Sequence, residues 1–316
     1  MQIHGYKMDI IFQNQYSKPA PCVATLGFFD GVHAGHQYLL SQLIQHANMQ
    51  QLPSVVFTFN QHPLRILQPQ LRPKLLSTFE ERLKLIEQCG VDQCVILDFN
   101  EQMASLTAAE FIQSILLNQF KVSALLIGHN HKFGSNRLES FVDYQRYGNQ
   151  FGIKVIKADK FDTQLNSNIC STNIRHAIES GDITLANSML SRPYSLDGKV
   201  IGGFKIGRTI GFPTANLEIN GSDKLIPAIG TYAVYVNLEK ERHLGMLNIG
   251  TRPTLNNGTN LSIEVHIINF EGDIYEQTIG LELIIKIRDE QKFNDLESLQ
   301  QQLEKDKDFT ISNLKL

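Results

Sequence analysis

The first half of the chain alternates between short apolar runs and stretches with helical spacing. In residues 36–50 the apolar side chains recur on one helical face, whereas residues 54–59 form a compact run of β-branched and aromatic residues. This alternation predicts an α/β domain with a doubly wound parallel sheet and right-handed crossovers, in which ligands bind beyond the carboxyl ends of the strands. The predicted strands are residues 23–29, 54–59, 93–99, 123–128 and 153–158.

After about residue 195 the helical pattern gives way to strand-like runs separated by Gly, Pro, Asn and Asp turns. Runs of this length and spacing predict a small antiparallel β-barrel or sandwich. They cover residues 231–238, 243–250, 261–268 and 281–287, and residues 295–306 predict a C-terminal helix. We place the boundary near 186–195 and therefore predict two domains, 1–188 and 189–316.

Composition and charge narrow the class of protein. The 316 residues are 42% hydrophobic, which is enough for packed cores and excludes wholesale disorder. A net charge of −3 argues against nucleic acid as a partner, and no apolar run approaches the ~20 residues that span a bilayer. The four cysteines lack zinc-site or disulfide-framework spacing. We expect a cytoplasmic protein that acts on small molecules without a membrane partner, and nothing in the sequence indicates oligomerisation.

A pair of histidines follows the first predicted strand of the α/β half. His33 and His36 are three residues apart at a strand-to-helix turn that is rich in glycine. A helix N-terminus favours phosphate, and two imidazoles there can donate hydrogen bonds to phosphoryl oxygens. Neither G-x-G-x-x-G nor G-x-x-x-x-G-K-[ST] occurs in the chain. From these residues alone, ordinary turn residues and metal ligands remain alternatives.

Three further segments follow this turn in order. They are 57–63 (FTFNQHP), 128–134 (GHNHKFG) and 170–175 (CSTNIR), and each follows a predicted strand or opens a predicted helix, where Ser171 suits the N-cap. Together with GFFDGVHAGH they resemble the H-x-G-H nucleotidyltransferase superfamily, which is Rossmann-like, in its flavin adenylyltransferase form.

The resemblance implies that the phosphate of FMN attacks the α-phosphate of ATP, which gives FAD and pyrophosphate. His33 and His36 would stabilise the α-phosphate in the transition state, and the catalytic Arg175 would hold the pyrophosphate. Mg²⁺ would bridge phosphate oxygens. The implied nucleotide-binding residues are Phe28, Phe29, Asn60, Asn130, Ser171 and Thr172.

Two positions depart from that family pattern. His131 stands where an aromatic residue, commonly Phe, is usual, and Cys170 stands where Ser is usual. His131 bears on the packing of flavin or adenine, and it motivates an alternative in which the transferase half is weakened or inactive. Cys170 as a nucleophile has no base that we can assign.

The β-rich half contains a glycine-rich segment, 198–217, that ends in Pro213-Thr214-Ala215-Asn216. A hydroxyl and an amide oxygen are hard ligands that suit Mg²⁺. The glycines alone favour an ordinary hairpin with a proline turn. The pattern G-x-x-x-G-R-x-x-G-F-P-T-A-N nevertheless resembles riboflavin kinase, and this resemblance continues through 225–232, 245–254, 264–275 and 287–293.

Together the two halves resemble the bacterial bifunctional riboflavin kinase/FAD synthetases. The resemblance implies that riboflavin is phosphorylated by ATP in the C-terminal half, with Thr214 and Asn216 on Mg²⁺ and Glu264 as the proton acceptor. Alternation alone puts Glu264 and His266 on the polar face of residues 261–268 and predicts that Glu264 faces water. Implied nucleotide-binding residues are Gly203, Lys205, Gly207 and Pro213, and implied flavin-binding residues are Arg288 and Phe293. A flavin-binding regulator without turnover is the hypothesis from another class.

Overall fold

The chain forms two compact units, Met1–Ile169 and Cys170–Leu316. The structure is a computed structural model, and it describes residues 7–15, 19–129, 131–135, 138–161, 169–202, 207, 210–239, 241–253 and 259–316. No helix within these ranges combines the length and the apolar character needed to cross a membrane.

The first unit is built on a six-stranded parallel sheet in the order β1-β4-β3-β2-β5-β6. Its strands are β1 (Asp9–Phe12), β2 (Cys22–Leu26), β3 (Ser54–Phe59), β4 (Gln93–Leu97), β5 (Val122–Ile127) and β6 (Lys154–Lys157). The predicted parallel sheet is confirmed, and the edge strand β1 is an addition. A run of four residues, DIIF, is too short to stand out in a sequence pattern.

Helices cover both faces of this sheet, as its buried strands require. They are α1 (Ala34–Gln50), α2 (Leu64–Leu67), α3 (Phe79–Gln88), α4 (Glu101–Ser105), α5 (Ala108–Glu110) with a π-helical continuation (Phe111–Gln119), and α6 (Phe141–Phe151). Neighbouring residues of one strand enter different cores: Val23 packs into one hydrophobic cluster and Ala24 into the other. This two-sided burial makes the sheet doubly wound.

The second unit is a closed six-stranded antiparallel barrel in the order β10-β11-β8-β7-β12-β9. Two helices precede it, α7 (Ser171–Ser180) and α8 (Ile183–Leu190), and α9 (Leu296–Asn313) follows it. The strands are β7 (Tyr194–Ile201), β8 (Ala215–Ile219), β9 (Gly230–Leu238), β10 (Glu241–Pro253), β11 (Thr259–Ile267) and β12 (Thr278–Arg288). The barrel and the C-terminal helix are confirmed.

Contacts tie α8 to the barrel. The Asn187 side chain donates to the Leu283 carbonyl at 2.8 Å and accepts from the Tyr194 amide at 2.8 Å. The predicted domain boundary at residue 188 stays a prediction. The contacts divide the chain between residues 169 and 170, but they do not show which residues each activity requires.

The strand alternation predicted for residues 261–268 is present in β11. Ile263, Val265 and Ile267 are buried, whereas Leu261 at the start of the run is 46% exposed. Glu264 and His266 lie on the other face, and His266 is buried there beside Phe212. The outer face of the barrel is therefore partly covered.

Candidate active sites

The histidine pair lies at the point where the strand order of the sheet reverses. From β2 the chain proceeds outward through β3 and β4, and it then returns to add β5 and β6 on the other side of β2. In sheets of this kind the loops beyond the carboxyl ends of the two central strands open a crevice that binds ligands. The loop after β2 carries His33 and His36, and the loop after β5 carries His131.

The turn between β2 and α1 has an unusual backbone that neighbouring residues fix in place. Phe29, Gly31 and Val32 all have positive φ angles, and a β-branched residue rarely adopts one. The buried Asp30 carboxylate accepts hydrogen bonds from the amides of Leu76 and Ser77 at 3.0 and 3.2 Å. The Gly31 amide donates to the Ser77 hydroxyl at 3.0 Å. The segment before α3 thus holds the turn in the shape that presents the histidines.

The two imidazoles form a compact pair at the start of α1. His33 is the N-cap, and its Nδ1 accepts from the His36 amide at 3.3 Å. The neutral His33 ring therefore carries its proton on Nε2, where it can donate to a ligand. The rings stack with centroids 3.6 Å apart. Burial, with the nearby His33 and His131, lowers the pKa of His36 well below its usual value, so that His36 is neutral at pH 7.

His131 joins this pair, although the sequence suggested a role in flavin or adenine packing. Its charge affects the pKa of His36, and its amide closes a turn by donating to the Gly128 carbonyl at 3.0 Å. Nδ1 of His36 is buried and has no hydrogen-bond partner among the described residues. Buried polar atoms of this kind are few in native proteins and occur at functional sites. Three imidazoles thus converge at the crevice.

Arg82 is a residue of this region that the sequence analysis missed. Its side chain is 1% exposed, donates to the Phe59 carbonyl at the end of β3, and lies 4.1 Å from the centre of the Phe28 ring. Burial lowers the pKa of Arg82 to about 10, which leaves it charged at pH 7. The sequence did contain one indication of this role. Arg82 lies next to Leu83 on the core-facing side of the amphipathic helix α3, where a charged residue is unusual.

Asn60, which follows β3, lines a cavity of about 770 Å³ at the carboxyl ends of β1 and β4. Amide side chains and apolar side chains share its wall. The amides belong to Gln13, Asn14, Asn60, Asn100, Gln102 and Gln119, and apolar side chains include Leu97, Met103, Leu106 and Ile115. Such a wall suits a flat ligand with a polar edge.

Four other residues were predicted for the first site. One of them, Asn130, lies outside the described residues. Ser171, Thr172 and Arg175 occupy the first turns of α7 in the second unit, where Cys170 is the N-cap. The N-cap expected at Ser171 is therefore wrong by one residue, because Cys170 has the extended backbone and Ser171 is already helical.

A row of polar residues crosses the barrel of the second unit. Strand register places Asn216 opposite Glu264, Glu264 opposite Asn248, Asn248 opposite Thr231, and Thr231 opposite Arg288. Directly opposite residues of antiparallel strands project from the same face. We call these five residues the polar row. The sequence analysis selected three of them, and the register adds Thr231 and Asn248.

Two hydroxyl groups hold the carboxylate of Glu264. The Thr214 hydroxyl donates to Oε2 at 3.1 Å, and the Ser262 hydroxyl donates to Oε1 at 2.8 Å. Glu264 is half-buried, so the prediction from alternation that it simply faces water is wrong. It faces the loop that precedes β8 instead.

His266 fixes the same loop at a second point. Its Nδ1 lies 2.8 Å from the Pro213 carbonyl oxygen and must donate to it, since a carbonyl only accepts. Burial lowers the pKa of His266, so the ring is neutral at pH 7. Gly207 approaches this loop closely, because a Cβ there would lie 2.1 Å from the Phe212 carbonyl oxygen. Gly203 and Lys205 lie outside the described residues.

A cavity of about 880 Å³ lies beside Thr214. The backbone pairing of β8 with β11 covers only two residue pairs and ends at Ala215. The wall of the cavity includes Ile201, Pro213, Thr214, Ile267, Phe270 and Tyr275. Its volume is ordinary for a nucleotide-sized ligand.

The predicted metal ligands fit a cation that is held mainly by a bound phosphate. No group of three or more His, Cys, Asp or Glu side chains comes together as a metal site in the part of the chain that the structure describes. Thr214 and Asn216 instead offer neutral oxygens at the start of β8, and Mg²⁺ accepts such ligands when phosphates complete its shell.

Arg288 is tied to the C-terminal helix. Its guanidinium contacts both carboxylate oxygens of Asp306, from Nε at 3.0 and 3.2 Å and from Nη2 at 2.9 Å. Asp306 is buried, and the Phe293 ring centre lies 5.8 Å from the guanidinium. Arg288 therefore joins α9 to β12, and its contact with a flavin stays a prediction.

Comparisons with known proteins match both halves of the chain. The model of the FAD synthetase family matches residues 15–173, and that of the riboflavin kinase family matches residues 190–314. The chain is 36% identical to the bifunctional riboflavin kinase/FMN adenylyltransferase of Escherichia coli K12, over 90% of each chain. It is 38% identical to the protein of the same name from Listeria monocytogenes, over 91% of each.

One solved structure matches nearly the whole fold. It comes from Streptococcus pneumoniae and is described as a macrolide-efflux protein. The two chains are 33% identical, with a TM-score of 0.88, and the match covers 97% of this chain and 99% of the other.

Proposed function

Since the chain belongs to the bifunctional riboflavin kinase/FMN adenylyltransferase family and has both activities, we propose that each reaction takes place at one of the two sites described above. Riboflavin and ATP give FMN and ADP, and FMN with a second ATP gives FAD and pyrophosphate. The matches support this two-activity interpretation over the alternative of an inactive transferase half. The domains proposed for the two activities are residues 189–316 and 1–188.

For the adenylyl transfer, the proposal rests on the stacked pair of His33 and His36 at the start of α1. A phosphate oxygen of FMN attacks the α-phosphorus of ATP, the bond to the bridging oxygen breaks, and pyrophosphate leaves. Nε2–H of His33 donates to the α-phosphate, and His36 contacts it from the stacked ring. The two rings are held in fixed positions, from which they stabilise the developing charge by hydrogen bonding. Positioning supplies the rest of the acceleration, because the enzyme contributes no nucleophile.

For FMN, the cavity beside Asn60 is our proposed flavin pocket. Its amide side chains can pair with the polar edge of an isoalloxazine ring, and its apolar side chains can pack on the faces. Arg82 adds a buried positive charge behind Phe28, close to where phosphates would lie. The family resemblance continues to support Phe29 and Asn130 at the nucleotide. It likewise supports Ser171, Thr172 and Arg175 at the pyrophosphate.

For the kinase reaction, we propose that ATP occupies the 880 Å³ cavity and riboflavin lies along the polar row. Glu264 and Thr214 are hydrogen-bonded to each other where these two regions meet. The terminal ribityl hydroxyl attacks the γ-phosphorus, its proton passes to Oε2 of Glu264, and ADP leaves. Help from the base is modest in such a loose transition state, so alignment matters more.

Other parts of the kinase assignment rest on the same two regions. Thr214 and Asn216 would hold Mg²⁺, which supplies charge neutralisation between the phosphates when bound. The nucleotide would be covered by Gly203, Lys205, Gly207 and Pro213. The flavin would be bordered by Arg288 and Phe293. We also propose a cytoplasmic location and no nucleic-acid partner, for which the free cysteines and the slightly acidic charge are the support.

A single assay tests the proposal. The purified protein is mixed with ATP, Mg²⁺ and either riboflavin or FMN, and the flavins are separated. We expect FMN and FAD from riboflavin, and FAD from FMN. Glu264→Gln should slow only the first step. Loss of both steps in that variant would show that the sites are not separate.

A further inference from the structure

We infer that Ser262 is a positioning residue for phosphoryl transfer. Its hydroxyl holds one oxygen of the Glu264 carboxylate, so that the other oxygen is presented to the attacking hydroxyl. This inference rests on the proposed role of Glu264 as proton acceptor, and it adds a residue that lies outside the motifs.

The geometry gives the two carboxylate oxygens different surroundings. Ser262 donates to Oε1 at 2.8 Å, and Thr214 donates to Oε2 at 3.1 Å. Ser262 and Glu264 are two residues apart on β11 and therefore project from the same face. Only Oε2 lies toward the nucleotide-side loop that carries Thr214. Ser262 therefore holds Oε1 from the same strand as Glu264, whereas the hydroxyl that holds Oε2 belongs to the loop beside the proposed nucleotide.

Ser262 is itself held firmly. It is buried, and its backbone lies opposite Gly250 in the β10–β11 pairing. Gly250 leaves room that the Glu290 carboxylate fills, since a Cβ on Gly250 would lie 2.6 Å from Glu290 Oε1. A rigid strand position is what a supporting residue needs, because a base must be held within about 0.5 Å of its productive geometry.

Without the serine hydroxyl, the carboxylate would lose this restraint. The terminal torsion of a glutamate is broad, so nothing in the side chain itself selects one orientation. A hydrogen bond to a carboxylate is among the stronger ones in proteins. We expect its loss to lower kcat about tenfold, in keeping with the strength of hydrogen bonds to charged groups. The binding of riboflavin and ATP should change little.

The test compares Ser262→Ala with Ser262→Thr, which keeps the hydroxyl and suits a strand. Each is made alone and in the Glu264→Gln background. The kcat for FMN formation and the KM values for riboflavin and ATP are measured. Unchanged KM values show that the barrel is folded, and FAD formation from FMN reports on the first unit. Ser262→Ala should be about tenfold slower in kcat with KM values within twofold, and Ser262→Thr should be close to the wild type. In the Glu264→Gln background, Ser262→Ala should have no further effect, because the two residues act as one unit.

Each contrary outcome has a defined meaning. If Glu264→Gln is slow and Ser262→Ala is not, Ser262 has no positioning role and the proposed function stands. If Glu264→Gln has no effect, the base assignment itself is wrong. An equal slowing by Ser262→Ala in both backgrounds would mean a purely structural role. If Ser262→Ala also loses FAD formation, Ser262→Cys is measured instead. The cysteine side chain is similar in size but is a weak hydrogen-bond donor, so an unchanged kcat in this variant overturns the inference.

Discussion

The backbone amide of His36 donates to Nδ1 of His33, and the two imidazole rings stack with their centroids 3.6 Å apart. The contact fixes the tautomer of one ring through the backbone of the other. Both side chains are thereby oriented before any nucleotide arrives. Preorganised donors of this kind account for much of the stabilisation of developing charge in enzymes.

Replacing His36 should separate the two activities. We expect His36→Ala to slow FAD formation from FMN by about 100-fold or more, the size seen when one preorganised donor is removed. FMN formation from riboflavin should stay within twofold. His46→Ala, on the same helix, is the matched control. An equal loss of both activities would contradict separate sites.

The pKa of His36 predicts how stability depends on pH. Because the pKa is lowered in the folded state, the unfolded chain binds more protons below about pH 6.5, the ordinary value for histidine. His36 therefore stabilises the fold above that pH, and this contribution declines as the pH falls. Between pH 7.5 and 5.5 the melting temperature of the wild type should drop further than that of His36→Gln. Identical slopes by calorimetry would rule out this linkage.

Arg82 should matter to the first site through its charge and its contact with Phe59. Arg82→Met keeps the length of the side chain but removes the charge and the hydrogen bond to the carbonyl. We expect unfolding in urea to become easier by about 1–3 kcal/mol, the cost of an unsatisfied buried group. FAD formation should also fall, about tenfold. Lys84 is exposed on the same helix, so Lys84→Met is the control and should change neither the free energy of unfolding nor the rate of FAD formation.

Gly207 allows the loop before β8 to fold closely on itself. Gly207→Ala would place a methyl group 2.1 Å from the Phe212 carbonyl oxygen, which the backbone cannot accept without moving. The loop carries Thr214, so we expect at least tenfold lower kinase efficiency with FAD formation from FMN preserved. Wild-type kinase kinetics for Gly207→Ala would contradict the close approach.

The sequence allowed a good prediction of the elements and of the residues inside local motifs. Strand and helix periodicity indicated both folds. The histidine pair and Thr214 lie in short motifs whose residue types indicate the chemistry. Arg82, Thr231 and Asn248 could not be selected in this way. They reach their sites through strand register or through the packing of a distant helix, and neither can be predicted from a local sequence pattern. The N-cap at Cys170 was missed because cysteine is not a usual capping residue.

The polar row takes one residue from each of five strands: β8, β11, β10, β9 and β12. No hairpin or partial sheet contains the whole set, so the proposed flavin surface has no precursor in a half-folded chain. A ligand that depends on this surface will bind the native state alone, and it will stabilise the barrel by an amount that grows with the logarithm of its concentration once that concentration exceeds the dissociation constant. Riboflavin should then act as a cofactor precursor that also protects its own enzyme from unfolding, and the supply of vitamin and the lifetime of the kinase become linked.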